Sequence, residues 1–330
     1  MLGGERVQEI ARIVSYGDLH LSSKNYGAHR DYPNDSLMAL KKVTEIAKNV
    51  KATHIIGLGD LTYGRFNSLE YRSSVEAELE EQYNICNGNR YELKGNHDSA
   101  SYGMTEYEYY ILKGLIKPST NLDIGSIHIS MIDNGEYNKM IPNIQQDGTN
   151  IMFVHDYFKF KDTMLPDYGK AIELDNFEKW YGVDHIVAGH IHNSEFFEGL
   201  MVKEIDGQTH GVRVTVDYLG SMSRPSYREG HTDEIGHILV ITVYEDGTFK
   251  YDRLDIELPS LAVTFNLDQK AVEKEKKLAK SNRVDISDIV HQLDQHERNI
   301  GNPEDIIMAL TNVEEKYKIK AVELLKLGQA

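Results

Sequence analysis

The stretch from Arg12 to His20, RIVSYGDLH, places a short apolar run directly before an aspartate and a histidine. Branched and aromatic side chains are enriched in strands, so RIVSY predicts a buried strand. Asp18 and His20 stand two residues apart, and in an extended segment both side chains point to the same face. The stretch therefore predicts a strand whose carboxyl end carries two side chains of metal-ligand type.

Four further apolar runs lead into polar sets of the same kind. These sets are Gly59-Asp60, Gly95-Asn96-His97-Asp98, His155 and Gly189-His190-Ile191-His192. Apolar runs alternate with helix-period segments, which predicts an α/β fold, and the carboxyl ends of strands in such a sheet line its ligand crevice. Seven candidate metal ligands therefore converge on one edge of the sheet: Asp18, His20, Asp60, Asn96, His155, His190 and His192.

Each set alone has a simpler interpretation. A single Asp-x-His or Gly-Asp is common in turns and caps, and a lone histidine such as His155 is usual in a core. The glycines that precede the ligands fit tight turns with or without a metal. All five sets together, in this order, favour a metal site over the separate interpretations.

The hydrophobic periodicity also predicts the order of the elements. Helices are expected at 36–50, 68–83, 105–115 and 172–181, and strands at 12–16, 54–58, 90–94, 122–133, 150–154 and 185–188. Two hairpins are expected later, one around Asp206-Gly207 and one around Asp246-Gly247. Beyond Pro259 the pattern is helical to the end, with apolar stripes that require burial.

The composition is that of a globular protein, with 330 residues, 40% of them hydrophobic, and a net charge of -16. No apolar run approaches the ~18 residues of a membrane span, and the first residues lack a signal-peptide pattern, so we expect a soluble, cytoplasmic protein without a membrane partner. The single cysteine, Cys86, excludes an internal disulfide or a cysteine-ligated zinc site. The excess of acidic residues disfavours a protein that only coats nucleic acid. It does not exclude an enzyme that acts on nucleic acid, because a carboxylate-rich site is negative until its metals bind.

The five motifs D-x-H, G-D, G-N-H-D, H and G-H-x-H stand in order between Arg12 and Asn193. Through them the sequence resembles the calcineurin-like metallophosphoesterase superfamily. The resemblance implies a four-layer α/β sandwich, in which two central mixed sheets are flanked by helices and a small helical cap follows at the C-terminus. It assigns 1–259 to the phosphoesterase domain and 260–330 to the segment for capping or partner docking.

The resemblance further implies a centre of two divalent metal ions. The first metal would be held by Asp18, His20 and His192, the second by Asn96, His155 and His190, and both would be bridged by Asp60. Of the predicted catalytic residues, His97 would act as an acid or charge stabiliser, and Asp98 would orient the His97 imidazole. Oxygen and imidazole ligands without thiolate favour manganese, with iron, zinc and magnesium as alternatives. Two such cations about 3.5–4 Å apart clamp a phosphate and activate a water.

Within the superfamily, the sequence is most similar to the SbcD-type nucleases of bacteria and phages. The similarity rests on 16–21, on Leu219-Gly220-Ser221 with Arg224 and Glu229, and on 236–240. One position differs, because these nucleases carry a histidine three residues after the bridging aspartate, where this chain has Tyr63. Tyr63 and Arg65 are therefore candidate substrate-binding residues, although Arg65 also fits a solvated loop.

The sequence thus predicts a DNA exonuclease or endonuclease that acts in repair, recombination or replication with an SbcC-type ATPase. The apolar stripes beyond Pro259 would dock on that ATPase or pack back on the core, and a homodimer is a further option. A phosphatase or cyclic-nucleotide phosphodiesterase is the alternative that Tyr63 and the acidic charge leave open. A non-catalytic binding scaffold is the alternative of another class, which the intact ligand set disfavours.

Overall fold

The computed structural model describes residues 7–23, 35–63, 67–100, 103–161, 163, 171–175, 177–205, 208–224, 236–260, 264, 318–319 and 322. The chain divides into two compact units, Met1–Leu267 and Asp268–Ala330. Almost all of the described residues belong to the first unit, and they contain no helix that is long and apolar enough to cross a membrane. The predicted helical cap lies almost entirely outside the described residues, and so do Arg65 and Glu229.

The described part of the chain alternates strands with a few helices. In chain order the elements are β1 Glu9–Tyr16, α1 Asp35–Val50, β2 His54–Gly57, α2 Leu69–Ile85, β3 Arg90–Glu92, α3 Glu106–Leu112, β4 Leu122–Ile124, β5 Ile127–Ile132, β6 Thr149–His155, β7 Phe158–Lys159, β8 Ile172–Glu173, a 3-10 helix Glu178–Trp180, β9 His185–Gly189, β10 Glu195–Ile205, β11 Gln208–Tyr218, β12 His237–Tyr244 and β13 Phe249–Asp255.

Two large mixed sheets form the centre of the fold. The first has the strand order β13-β12-β1-β2-β3 and the second the order β10-β11-β9-β6-β5-β4. β1, β2 and β3 run parallel, as do β5, β6 and β9, so the carboxyl ends of each group lie side by side. The α/β sandwich with two mixed central sheets is therefore confirmed.

The second half of β1 has apolar residues that face both sides of the sheet. Ile13 points into the space between the two sheets, where it packs with residues such as Phe153. Val14 and Tyr16 point to the other side, where they pack in a cluster that includes residues of α1 such as Leu40. Because both faces of the strand are buried, apolar residues occupy consecutive positions, as is typical of parallel sheets.

The described residues within 172–181, which pack on the second sheet, do not form the single helix that was expected there. Ile172 and Glu173 instead form β8, which pairs in parallel with β7, and only Glu178–Trp180 is helical, as one 3-10 turn. Leu174 and Trp180 are fully buried against the second sheet, with Phe177 packed beside them. A spacing of three residues between these apolar side chains suits a 3-10 turn, in which positions i and i+3 lie above one another.

Both predicted hairpins are present. Ile205 pairs with Gln208, so β10 and β11 are joined by two residues, which themselves lie outside the described part. β12 and β13 are joined around Gly247, whose φ of 83° is accessible to glycine at little cost. β12 returns along β1 in antiparallel register, which completes the first sheet beside the strand that carries Asp18.

A buried ionic network fixes the carboxyl end of the first sheet. Arg90 and Glu92, at the two ends of β3, form an ion pair of 2.7 Å with both side chains fully buried. The hydroxyl of Tyr16, the last residue of β1, donates to the same Glu92 carboxylate at 2.7 Å. The network joins the ends of β1 and β3 immediately before the loops that carry Asp18 and Asn96.

Candidate metal centre

The five polar sets follow β1, β2, β3, β6 and β9, each at the carboxyl end of its strand. Because the parallel register aligns these ends within each sheet, the loops meet at one edge of the sandwich. The structure brings together all seven candidate ligands, which form two adjacent clusters with Asp60 between them. The carboxylates of Asp18 and Asp60 form the buried floor, whereas Asn96 and His97 are exposed on the open side.

The first cluster consists of Asp18, His20 and His192, whose ligand atoms all lie within 4.8 Å of one another. The Nε2 atoms of the two histidines face each other at 3.0 Å. The Oδ2 atom of Asp18 lies 3.6 Å from Nε2 of His192. Two ring nitrogens and a carboxylate oxygen thus converge on one point.

The second cluster consists of Asn96, His155 and His190. The side-chain oxygen of Asn96 lies 3.2 Å from Nε2 of His155 and 3.0 Å from Nδ1 of His190. Nδ1 of His155 donates to the carbonyl oxygen of Leu58 at 2.7 Å. Since a carbonyl can only accept, the other ring nitrogen of a neutral His155 presents its lone pair to the cluster, which is the arrangement that metal-bound histidines require.

Asp60 lies between the two clusters. Its Oδ2 atom is 3.4 Å from Nε2 of His155, in the second cluster. Asp60 also forms a group with His20, which belongs to the first cluster, and with His97. The ligand atoms of these three residues lie within 4.8 Å of one another. The backbone N–H of His97 donates to Oδ1 of Asp60 at 2.7 Å and orients the carboxylate. This position allows Asp60 to serve both clusters.

The spacing of the donor atoms fits divalent cations. Ligand atoms bonded at about 2.1 Å to one cation lie about 3.0–3.4 Å apart in octahedral or tetrahedral geometry. The separations within the clusters, from 3.0 to 3.6 Å, fall at or near this range. Imidazole, carboxylate and amide oxygen donors, without a thiolate, suit metals such as manganese, iron or zinc.

Burial and mutual charge shift the pKa values of these groups in opposite directions. Burial raises the pKa of Asp18 to about 6, although the positive charge of His155 opposes the shift. Burial disfavours a charged His155, but the carboxylates of Asp18 and Asp60 raise its pKa to about 10. Burial and the charge of His155 lower the pKa of His190 to about 4. The clustered carboxylates thus stabilise positive charge at this point, which a bound cation would supply.

Three of the candidate ligands have left-handed backbone conformations. The φ angles are 48° for His20, 49° for Asp60 and 79° for His190. Such conformations are unfavourable for residues other than glycine and persist where surrounding structure enforces them. Here the N–H of His20 donates to the carbonyl of Asp60 at 2.9 Å, and the N–H of His190 donates to the Asp18 carboxylate at 3.1 Å. The ligands therefore hold one another's backbones in place.

Gly189 leaves room for the close approach of the two clusters. A Cβ atom at this position would lie 2.7 Å from the Leu58 carbonyl oxygen, 2.8 Å from Oδ1 of Asp18 and 2.9 Å from Nδ1 of His155. Each of these distances is shorter than an ordinary van der Waals contact. Any larger residue would therefore separate β9 from the side chains on which both clusters depend.

The structure gives Asp98 a role different from the predicted one. Its Oδ1 atom accepts from the N–H and the hydroxyl of Thr62, at 2.9 and 3.0 Å. Its Oδ2 atom accepts from the N–H groups of Leu61 and Gly95, at 3.2 and 3.0 Å. The described hydrogen bonds of this buried carboxylate therefore go to the loops around Asp60 and Asn96, not to the His97 imidazole. Asp98 positions the ligand loops.

His97 and Tyr63 lie side by side on the open face of the site. Their ring centroids are 5.0 Å apart with an interplanar angle of 32°, and the His97 ring also meets the His20 ring edge to face at 5.0 Å. Tyr63 is 44% exposed. The two rings are thus accessible to a ligand beside the clusters, whereas the third candidate of this group, Arg65, lies outside the described residues.

The hydrogen bonds of the loop after β11 were not anticipated from the sequence. The hydroxyl of Ser221 donates to the carbonyl of Asp18 at 3.1 Å, and the hydroxyl of Ser223 donates to the carbonyl of Leu19. The adjacent Arg224 forms a buried ion pair of 2.6 Å with Asp35, the first residue of α1. The Gly-Ser pair before this loop was the available signal, but partners about 200 residues away cannot be read from it.

Comparisons with known proteins place the chain in a family. The sequence profile of the family described as calcineurin-like phosphoesterase matches residues 11–194, a stretch that contains all five motifs. No curated protein matches the chain. A similar solved structure is that of a dimetal phosphatase from Danio rerio, which is 11% identical, covers 76% of this chain and 98% of its own, and has a TM-score of 0.41.

Proposed function

Since the chain belongs to the calcineurin-like phosphoesterase family, whose members are metal-dependent hydrolases, we propose that it is a two-metal phosphodiesterase that cleaves DNA, a nuclease of the SbcD type. One observation carries the hydrolytic part of the proposal: two clusters of donor atoms share Asp60 at the edge of the sandwich. Their donor spacing fits two divalent cations, and we propose manganese for both.

The residues around the clusters have distinct roles in the proposed reaction. Asp18, His20 and His192 would hold one cation, Asn96, His155 and His190 would hold the other, and Asp60 would contribute to both. Cations bound there would supply charge neutralisation at the phosphate and would lower the pKa of a water. The exposed His97 ring, 5.0 Å from that of His20, donates a proton to the leaving oxygen or stabilises its charge.

Two features support DNA as the substrate. Ser221 belongs to one of the segments on which the resemblance to SbcD-type nucleases rests, and its hydroxyl holds the loop of Asp18 by a hydrogen bond to the Asp18 carbonyl. The exposed Tyr63 ring beside His97 offers a face on which a base next to the scissile phosphate stacks, as aromatic residues do in single-strand binders.

The proposed partner is an SbcC-type ATPase, and the proposed setting is DNA repair or recombination in the cytoplasm. The support is the pattern of apolar stripes in 286–325, of the kind that bind in a groove of a partner protein.

A phosphatase or cyclic-nucleotide phosphodiesterase is the second candidate function. The observation that favours it is the absence of a histidine at position 63, where SbcD-type nucleases carry one and this chain has tyrosine. If that histidine positions the phosphate of DNA, its replacement redirects the site towards smaller esters.

The test compares substrates directly. End-labelled single-stranded and double-stranded DNA, an aryl phosphodiester and an aryl phosphomonoester are incubated with wild-type protein and Mn²⁺, with and without chelator. His97→Ala removes the proposed acid, and His210→Ala, an exposed histidine on β11 outside the site, is the matched control. We expect DNA cleavage that His210→Ala retains and that His97→Ala reduces by about 100-fold or more. Cleavage of the small esters alone would reject the nuclease and favour the second candidate.

A further inference from the structure

The second cluster takes its ligands from both sheets. Asn96 follows β3 in the first sheet, whereas His155 ends β6 in the second, and the Oδ1 atom of Asn96 lies 3.2 Å from Nε2 of His155. The packing between the sheets includes apolar side chains such as Ile13 and Phe153. Apolar contacts are not directional, so they bring the sheets together without fixing the distance between two ligand atoms. Directional bonds near the ligands have to fix this distance.

The loop that follows β5 supplies such bonds towards β3. We call this segment, 133–135, the β5 loop. The backbone N–H of Asn134 donates to the carbonyl oxygen of Lys94 at 2.9 Å. In return, the N–H of Lys94 donates to Oδ1 of Asp133 at 2.8 Å. Lys94 stands two residues before Asn96, so these two bonds anchor the loop of Asn96 to the β5 loop.

The side chain of Asn134 reaches from the β5 loop to the end of β6. Its Nδ2 atom donates to the carbonyl oxygen of His155 and to Oδ1 of Asp156, both at 3.1 Å. The N–H of Gly135 donates to the other carboxylate oxygen of Asp156 at 2.9 Å. Since both partners of the Asn134 side chain are acceptors, its NH₂ group has to face them, which fixes the orientation of the amide. Asn134 is therefore bonded to the loop of Asn96 through its backbone and to His155 itself through its side chain.

We propose that Asn134 is a positioning residue for the second cation. It holds Asn96 and His155 at the separation that the cation requires, and it acts through these two ligands. The inference rests on the two-metal part of the proposed function. The described hydrogen bonds of the β5 loop include none to a ligand of the first cluster. Loss of the Asn134 side chain should therefore affect the second cation selectively.

Two substitutions remove the side-chain bonds of Asn134. Asn134→Ala deletes the amide. Asn134→Asp keeps the size of the side chain but replaces the donor by an oxygen that faces the His155 carbonyl and the Asp156 carboxylate. It also adds a negative charge, which by itself would attract a cation, so weaker binding in both variants indicates an effect of position and not of charge. Because Asn134→Asp preserves the packing, it tests the proposal even if Asn134→Ala does not fold.

Asn150→Ala is the matched control. Asn150 is the second residue of β6, and its Nδ2 atom donates to the carbonyl oxygens of Gln145 and Gly182 at 2.9 and 3.0 Å. Its replacement removes hydrogen bonds of the same kind at the opposite end of the strand, about 16 Å from His155 at about 3.3 Å per residue. Circular dichroism and denaturant unfolding verify that each variant is folded and measure the stability that it loses.

Metal binding is measured in two ways on the full-length protein. Calorimetric titration of the metal-free protein with Mn²⁺ gives the number of bound ions and their affinities. Electron paramagnetic resonance distinguishes two Mn²⁺ ions that share a carboxylate, which are magnetically coupled, from an isolated ion. Asn96→Ala and His192→Ala each remove a ligand of one cluster and supply the reference spectra of the two singly loaded forms.

We expect the wild type to bind two Mn²⁺ ions with a coupled spectrum. In both Asn134 variants the affinity for one ion should fall by about 10- to 100-fold, as is usual when a partner of a metal ligand is removed. The other ion should bind as in the wild type, and the spectrum of the singly loaded protein should match that of Asn96→Ala. Asn150→Ala should retain both affinities and the coupled spectrum.

The possible failures are distinguishable. Binding of fewer than two ions by the wild type would reject the two-metal function on which the inference rests. If the wild type binds two ions, unchanged or tighter binding in either folded Asn134 variant would reject the positioning role alone. Equal weakening of both ions, or the same weakening in Asn150→Ala, would also reject that role, because it would show a general loss of stability.

Discussion

Gly189→Ala tests whether the two clusters require the close approach that the structure shows. The added Cβ would lie 2.7, 2.8 and 2.9 Å from atoms of Leu58, Asp18 and His155, and ordinary contact begins at 3.4 Å. Those atoms must therefore move apart by about 0.5–0.7 Å, whereas metal–ligand distances tolerate only about 0.2 Å. Because the φ of Gly189 is outside the left-handed region, the methyl group acts by contact and not through backbone strain.

We expect Gly189→Ala to weaken Mn²⁺ binding by about 10- to 100-fold, since it displaces ligands of both clusters and disturbs the His155–Leu58 hydrogen bond. Its unfolding free energy should fall by about 1–3 kcal/mol, the usual cost of overpacking. Calorimetric titration with Mn²⁺ measures the first effect and denaturant titration the second.

The matched control is Gly114→Ala. Gly114 has a φ of 72° and no atom within 4 Å of an added Cβ, so its substitution affects stability through the backbone alone and leaves Mn²⁺ affinity unchanged. If Gly189→Ala bound Mn²⁺ as tightly as the wild type, the close contact between β9 and the clusters would not be needed for metal binding.

Three further predictions concern residues around the site and in the body of the fold. Asp98→Asn cannot accept all four of the present hydrogen bonds, so denaturant titration should show a loss of about 1–3 kcal/mol in unfolding free energy. Arg224→Met leaves the buried Asp35 carboxylate without its guanidinium partner and should lower the unfolding free energy by about 3–5 kcal/mol. Adding Asp35→Asn should restore part of this loss, and fully additive effects of the two substitutions in denaturant titrations would contradict the prediction. Burial opposes a charged His128, but its 2.7 Å hydrogen bond to Asp123 raises its pKa. The pair therefore stabilises the fold below about pH 6.5 and loses this effect as the pH rises through the higher folded-state pKa. The difference in unfolding free energy between wild type and His128→Gln should narrow with pH, and a constant difference would exclude the charged pair.

The arrangement of the site was predictable because it depends on parallel strands. Asp18, Asp60 and Asn96 follow three neighbouring parallel strands of one sheet. Asp18 and Asp60 stand a few residues after apolar runs that the sequence displays, and Asn96 follows the short strand Arg90–Glu92. Since parallel register aligns strand ends, the convergence of these residues follows from the alternation of strands and helices.

Short-range patterns were less informative where tertiary pairing decided the structure. The stretch 172–181 has apolar residues at helical spacing, but β7 supplies a pairing partner, and the N–H of Ile172 donates to the carbonyl of Tyr157 at 2.8 Å. The strand pair and the burial of Trp180 outweigh the local helix preference.

The role of Asp98 was not predictable for a different reason. The resemblance to the calcineurin-like superfamily implied that Asp98 orients the imidazole of its sequence neighbour His97. In the structure successive side chains diverge, and the carboxylate is buried among the N–H groups of Leu61, Thr62 and Gly95. Sequence adjacency does not reveal which of two neighbours faces the interior.

The left-handed backbones of His20, Asp60 and His190 have a consequence for how this protein can change over generations. At each position glycine would relieve conformational strain of about 1 kcal/mol, so loss of a ligand can make the polypeptide more robust. Selection for stability and selection for metal binding therefore oppose each other at the same three codons. A lineage that no longer needs the reaction would be expected to lose its ligands at these positions early, while the sandwich itself persists.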